Sequence, residues 1–175
     1  MDIFIIGLVV VALMVFVSTK IKKSAARAFE SEIIEKDEFR IVKPEGLMSP
    51  LDENSKYPFE ARSREYGEKI SRNVWQAHAF LTVDKGLNFK AECEKARQTA
   101  GKILSEKIFN ETEGEKICLI ESEKIENEVP MIEFRKIIES RKQQKTYDLQ
   151  ISVLRSFREV YIHKINEMTN SFRLK

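Results

Sequence analysis

Two histidines, two cysteines and one run of glutamates are the side chains with chemistry to offer in this 175-residue chain. A thiol becomes a nucleophile when an imidazole takes its proton, so Cys93 and His78 would have to meet side by side. Their elements are consecutive, yet no spacing marks them as a pair. Packing for Cys93 and a surface imidazole for His78 is the simpler reading, and His163 falls on the polar side of the last helix. Glu121, Glu123, Glu126 and Glu128 form the acidic run. Glu121 and Glu123 would share a strand face about 7 Å apart, close enough to contemplate a divalent cation. Such a site usually adds Asp, Asn or loop carbonyls, so a solvated sheet edge that resists aggregation explains these acids more simply. Arg135, Lys136, Arg141, Lys142 and Lys145 gather near one turn. With Glu133 and Glu139 interleaved and only Phe134 and Tyr147 nearby, they do not resemble a nucleic-acid platform.

The familiar catalytic signatures are missing: no Walker glycine loop, no GxSxG, no HExxH and no paired zinc cysteines. No catalytic, cofactor-binding or metal-binding residue is assigned, and no cofactor is implied. Charged residues make up 33% of the chain but the formal net charge is only +2. That balance argues against a nucleic-acid partner, which would call for Lys and Arg concentrated on one face. Cys93 and Cys118 lie in different predicted elements without CxxC spacing, which reads as two buried, reduced thiols. Asn110-Glu111-Thr112 matches a glycosylation acceptor, a triplet that also arises by chance.

The stretch 3–17, IFIIGLVVVALMVFV, holds neither charge nor hydrogen-bonding side chain. As a helix it spans about 22 Å, and Ser18, Thr19 and the Lys20 stem extend it toward the ~30 Å hydrocarbon core of a bilayer. A transmembrane anchor over 1–21 is the expectation. Lys20, Lys22, Lys23 and Arg27 follow the run and no cation precedes it. This order is the reverse of a cleaved signal and places the chain beyond residue 21 on the cytoplasmic side of a single-pass protein, with the lipid bilayer as a partner. Residues 22–37 read as a membrane-proximal helix or linker, basic and then acidic.

Residues 38–175 read as one α+β domain. Phe39-Arg40-Ile41-Val42 alternates as a short strand and ends at the turn Pro44-Glu45-Gly46. A loop-rich insert over 47–72 follows, with a short helix from Phe59 to Ser71 through Phe59, Tyr66 and Ile70. Segment 74–83 fits helical or strand spacing, and its Phe80-Leu81-Thr82-Val83 composition favours strand. A long helix over 88–109 carries the stripe Phe89, Cys93, Ala96, Ala100, Ile103, Leu104 and Ile108, with Asn88 as N-cap. Strands over 116–125, 129–138 and 146–154 form an antiparallel meander. A last helix, 157–172, aligns Phe157, Tyr161, Ile165, Met168 and Phe172. Two helices side by side on one face of a mainly antiparallel sheet is the expected architecture.

The strand Phe39-Arg40-Ile41-Val42 running into Pro44-Glu45-Gly46, and the closing helix with Ser171-Phe172, give residues 38–174 an order that resembles the PsbP-like α/β/α sandwich domains. That resemblance implies a non-enzymatic binding or assembly module, often outside the cytoplasm. Taken with the anchor, the first functional expectation is a tethered protein-interaction module facing the cytoplasm, with a protein partner. The alternatives are an extracytoplasmic PsbP-like binding domain and a membrane-bound enzyme whose site no motif reveals.

Overall fold

Consecutive apolar residues on a strand point to opposite faces of its sheet, and the central strands of this chain carry several such pairs: Ile117 and Cys118, Ile137 and Ile138. Both faces must therefore be covered, and they are. The computed structural model describes residues 2–50, 55–63, 74–110 and 114–175, the side chains of 2–10 and 23–25 excepted. Its order is α1 (Asp2–Ala28), β1 (Glu32–Glu35), β2 (Phe39–Lys43), β3 (Phe59–Arg62), β4 (Ala77–Lys85), α2 (Phe89–Thr99), β5 (Lys102–Asn110), β6 (Lys116–Glu126), β7 (Val129–Ser140), β8 (Lys145–Leu154), α3 (Arg158–Ser171) and β9 (Arg173–Leu174). A single 3-10 turn, Arg155–Phe157, joins β8 to α3.

Six strands form one antiparallel sheet in the order β3-β4-β8-β7-β6-β5, and β1-β2-β9 form a second. One face of the large sheet packs on α3 and the small sheet. Ala77, Ala79 and Leu81 of β4 and Tyr147, Leu149, Ile151 and Val153 of β8 meet Phe39, Ile41, Tyr161, Ile165, Met168 and Phe172 there. Phe39 and Phe172 sit edge to face at 6.1 Å. On the opposite face α2 sets Phe89, Cys93 and Ala96 on Cys118, Ile120 and Ile137. Cys93 is thus a core residue, as its place on the small-residue stripe suggested.

The strands over 39–42, 116–125, 129–138 and 146–154 and the last helix stand where alternation and helical spacing put them, and 74–83 resolves as strand. Several expectations are corrected. Among the described residues no helix is long and apolar enough to cross a membrane, which overturns the transmembrane anchor, the single-pass topology and the cytoplasmic placement built on it. Lys20, Lys22, Lys23 and Arg27 all fall on α1, with Lys20, Lys22 and Arg27 exposed. The fold class is corrected too: among the described residues the chain is an α+β fold of three helices and two sheets with no membrane-spanning helix, and α2 and α3 lie on opposite faces of the large sheet instead of side by side on one.

The helix expected to continue to residue 36 stops at Ala28, where the N–H groups of Phe29 and Glu30 turn back on Ala26 and Arg27. Residues 32–35 then pair with β2. The helix drawn from Phe59 is strand at its start, paired with β4; Tyr66, Gly67 and Ile70 lie outside the described residues, as do Glu111 and Thr112 of the glycosylation triplet. The helix over 88–109 ends at Thr99 because Ala100 is extended and the Gly101 N–H bonds the Glu123 carbonyl at 2.8 Å. A Cβ on residue 101 would stand 3.0 Å from that oxygen, so a larger residue would have to push back this close approach to β6, and 102–110 continue as β5.

An aromatic row beside a polar layer on the open sheet face

Cross-strand register sorts the α2 face of the large sheet into transverse rows. One runs Arg62, His78, Ser152, Glu133, Ser122 across β3, β4, β8, β7 and β6; the next runs Glu60, Phe80, Gln150, Arg135, Ile120. Among the described residues α2 covers only the β6 and β7 ends of this face, which leaves a flank over β3 and β4. Val74, Trp75, His78, Phe80, Lys124, Ile125, Glu126, Met131 and Ser152 line a cleft of about 340 Å³ there.

Four rings follow one another along it, Trp75, His78 and Phe80 in the cleft lining and Tyr57 beyond them. Tyr57 lies 4.6 Å from Phe80, Phe80 5.2 Å from His78, and His78 4.7 Å from Trp75, centroid to centroid. The Arg62 guanidinium stands 5.3 Å over the Trp75 ring, a cation–π contact. All four rings are half-buried. The strand fixes this arrangement: His78 and Phe80 are two apart on β4 and share a face, while Trp75 and Tyr57 approach from the segments on either side.

His78 accepts or donates one bond, Nε2 to Glu60 Oε1 at 3.0 Å. Burial pulls its pKa below the ordinary value, and the Glu60 bond and charge only partly offset that. The imidazole is therefore neutral near pH 7. Ser152 lies directly opposite on β8, while Glu60 reaches the imidazole from the neighbouring row on β3. Over 77–85 and 145–153 the β4 and β8 backbones face each other in continuous register.

Beside the cleft, on the same sheet face, lies a polar layer. Arg135 and Asp148 are buried and joined by two bonds, Nε to Oδ1 at 3.2 Å and Nη2 to Oδ2. Gln150 donates to Asp148 at 2.8 Å, and Lys124 reaches Glu133 at 3.4 Å. Burial pushes the Asp148 carboxyl up more strongly than Arg135 and Gln150 draw it down. For Arg135 burial acts downward, and the Asp148 bond and the charges of Asp148 and Glu133 outweigh it, so the guanidinium stays charged. A desolvated, fully bonded pair of this kind fixes geometry rather than reacting.

The residues singled out by chemistry are not brought together. Cys93 packs on the Cys118 cluster, and Cys118 stands three strands and four residues from His78 by register, about 14 Å across and 13 Å along the sheet. Of the acids, Glu121 is held by Arg158 at 2.8 Å, Glu123 by Arg155 at 3.5 Å and Glu126 by Lys124 at 3.0 Å. No three His, Cys, Asp or Glu side chains converge as a metal-binding group among the described residues. The basic group disperses: Arg135 is in the polar layer, Lys136 caps α3 by donating to Thr169 and Phe172 carbonyls at 2.9 Å, and Lys145 binds Glu38. Tyr57, Glu60, Phe80 and Ser152 were not singled out beforehand. The one sequence signal for them is the i, i+2 pair His78 and Phe80.

This arrangement, a large antiparallel sheet with helices on both faces, is a PsbP-like α/β fold. The solution structure of cyanobacterial PsbP from Synechocystis superposes with a TM-score of 0.52 at 10% identity, covering 83% of this chain and 92% of that one. LpqN of Mycobacterium tuberculosis, described as involved in cell envelope biogenesis, gives 0.52 at 12% identity over 83% and 91%. At such identities the likeness is one of fold alone. No protein-family model and no curated protein sequence matches the chain.

Proposed function

We propose that this chain is a protein-interaction module that receives its partner on the aromatic row formed by Tyr57, Phe80, His78 and Trp75. The observation that carries this is the continuity of four half-buried rings along an open sheet flank. Aromatic side chains bring large contact area at small conformational cost, and they are enriched where proteins meet. Here the strand and the Glu60 and Arg62 contacts hold the rings in place before any partner arrives. The polar layer beside it stiffens the same sheet face, and the neutral imidazole with the Ser152 hydroxyl offers hydrogen bonds at the cleft.

A photo-crosslinking amino acid at Phe80, compared with the same residue at the exposed Val160 on α3, tests the proposal in cells making the full-length chain. A discrete adduct from position 80, abolished by Trp75→Ala and absent at position 160, is the expected result. Identical adducts from both positions, or none at 80, would remove the support.

A further inference from the structure

The two edges of the large sheet differ. Outside β3, Met48 and Arg62 exchange backbone bonds of 2.9 Å in both directions, which covers that edge. β5 has no such cover among the described residues. It pairs with β6 on one side, and all nine of its residues are exposed. Its outer row of N–H and C=O groups is a template for another strand.

Register sorts its side chains. Ile103 lies opposite Ser122, Glu106 opposite Ile120 and Ile108 opposite Cys118, so these share the α2 face. Lys102, Ser105, Lys107 and Phe109, opposite Glu123, Glu121, Leu119 and Ile117, share the other. An irregularity between Ile103 and Ser105 absorbs Leu104, so the alternation resumes in step. Arg97 neutralises Glu106 at 2.6 Å. What remains on that face is Ile103 and Ile108, 40% and 54% exposed, with Asn110 at its end. The other face is cationic: neither Lys102 nor Lys107 has an ion-pair partner among the described residues. Phe109 there lines a groove of about 530 Å³ that reaches Phe172 and Arg173.

We propose that β5 is a docking edge for an extended segment of another protein in which Asp or Glu alternates with apolar side chains. Such a strand sets its acids against Lys102 and Lys107 and its apolar residues against Ile103 and Ile108, while its backbone completes the ladder. A second copy of β5 is a poor occupant. Pairing β5 antiparallel with itself about its centre sets Glu106 against Glu106 or Lys107 against Lys107, and like charges directly opposite destabilise. The edge is also distinct from the aromatic row, since β4 and β5 lie four strand spacings apart, about 19 Å.

The test titrates the full-length chain with a capped, fluorescent octapeptide of alternating Val and Glu, and follows amide hydrogen exchange. Saturable binding that slows exchange within 102–110 is expected. Lys102→Glu/Lys107→Glu should weaken it by about tenfold, two cross-strand charge pairs being turned from attraction to repulsion. Trp75→Ala should leave it unchanged. An alternating Val-Lys peptide, which needs no protein variant, should not bind. The proposal is overturned by absent saturation, by equal binding of both peptides, or by protection outside β5. It is also overturned if β5 becomes protected as the protein alone is concentrated, which would mean that a second copy occupies the edge.

Discussion

Removing the Asp148 carboxylate while leaving Arg135 in place would strand a guanidinium in a site where both side chains are at most 5% exposed. Two unit charges about 4 Å apart at an effective dielectric near 20 attract by about 4 kcal/mol. Breaking one partner of such a buried pair costs about 3–5 kcal/mol, because the other charge keeps its desolvation penalty. Asp148→Ala also frees the Gln150 amide that donates to the same carboxylate. Urea denaturation of Asp148→Ala, Arg135→Met and the double variant measures this as a cycle. Asp148→Ala should lose about 3–5 kcal/mol, and adding Arg135→Met should return most of it, since an apolar replacement of the whole pair is often neutral. A cost under about 1 kcal/mol for Asp148→Ala, or simple additivity in the double variant, would refute the claim that these charges are desolvated and mutually dependent.

Three further outcomes follow from single contacts. Glu139 is buried and accepts from the first N–H of α2, Phe89, at 3.2 Å and from Lys116 at 2.8 Å. Burial acts to raise its carboxyl, yet Lys116 and the Phe89 N–H hold it below the ordinary value. A lowered folded-state pKa contributes stability above the unfolded value that disappears as pH falls through the folded one. Glu139→Gln should therefore cost about 1–2 kcal/mol at pH 7 and progressively less in acid, read by urea melts across pH. His78 shifts the other way for a base: the unfolded ring takes its proton first, so stability declines as pH drops below about 6.5. An NMR titration should place its midpoint under that value, and His78→Gln should flatten the corresponding slope; a midpoint above it would contradict the geometry. Ser49 Oγ is buried without a hydrogen-bond partner among the described residues, so Ser49→Ala should leave stability unchanged or raise it by up to about 1 kcal/mol in thermal melts.

The meander was readable because period-two alternation is a local property: Tyr147, Leu149, Ile151 and Val153 name their own face. β5 was hidden because Ile103, Leu104 and Ile108 also suit a helical stripe, and Glu and Lys between them are good helix formers. Gly101 was the available warning, since glycine after a helix pattern commonly ends it. The opposite placement of α2 and α3 followed from paired apolar residues such as Ile137 and Ile138, a signal easily taken for noise on a strand read as one-faced. The candidate site was legible only in part. Alternation sets His78 and Phe80 on one face, but Glu60, Tyr57 and Ser152 join them through pairings that register decides and no single segment reveals. The anchor expectation rested on an apolar run and its flanking cations, and both are descriptions of a segment rather than of what surrounds it.

β7 is the shared wall of two separate interiors. Ile138 belongs to one and Ile137 to the other, and the strand is paired along nearly its whole length on both sides. Loss of packing on either side would therefore loosen the support of the other, so neither half can melt and re-form alone. Partners held on the flank or at the rim would meet a body that yields all at once or not at all.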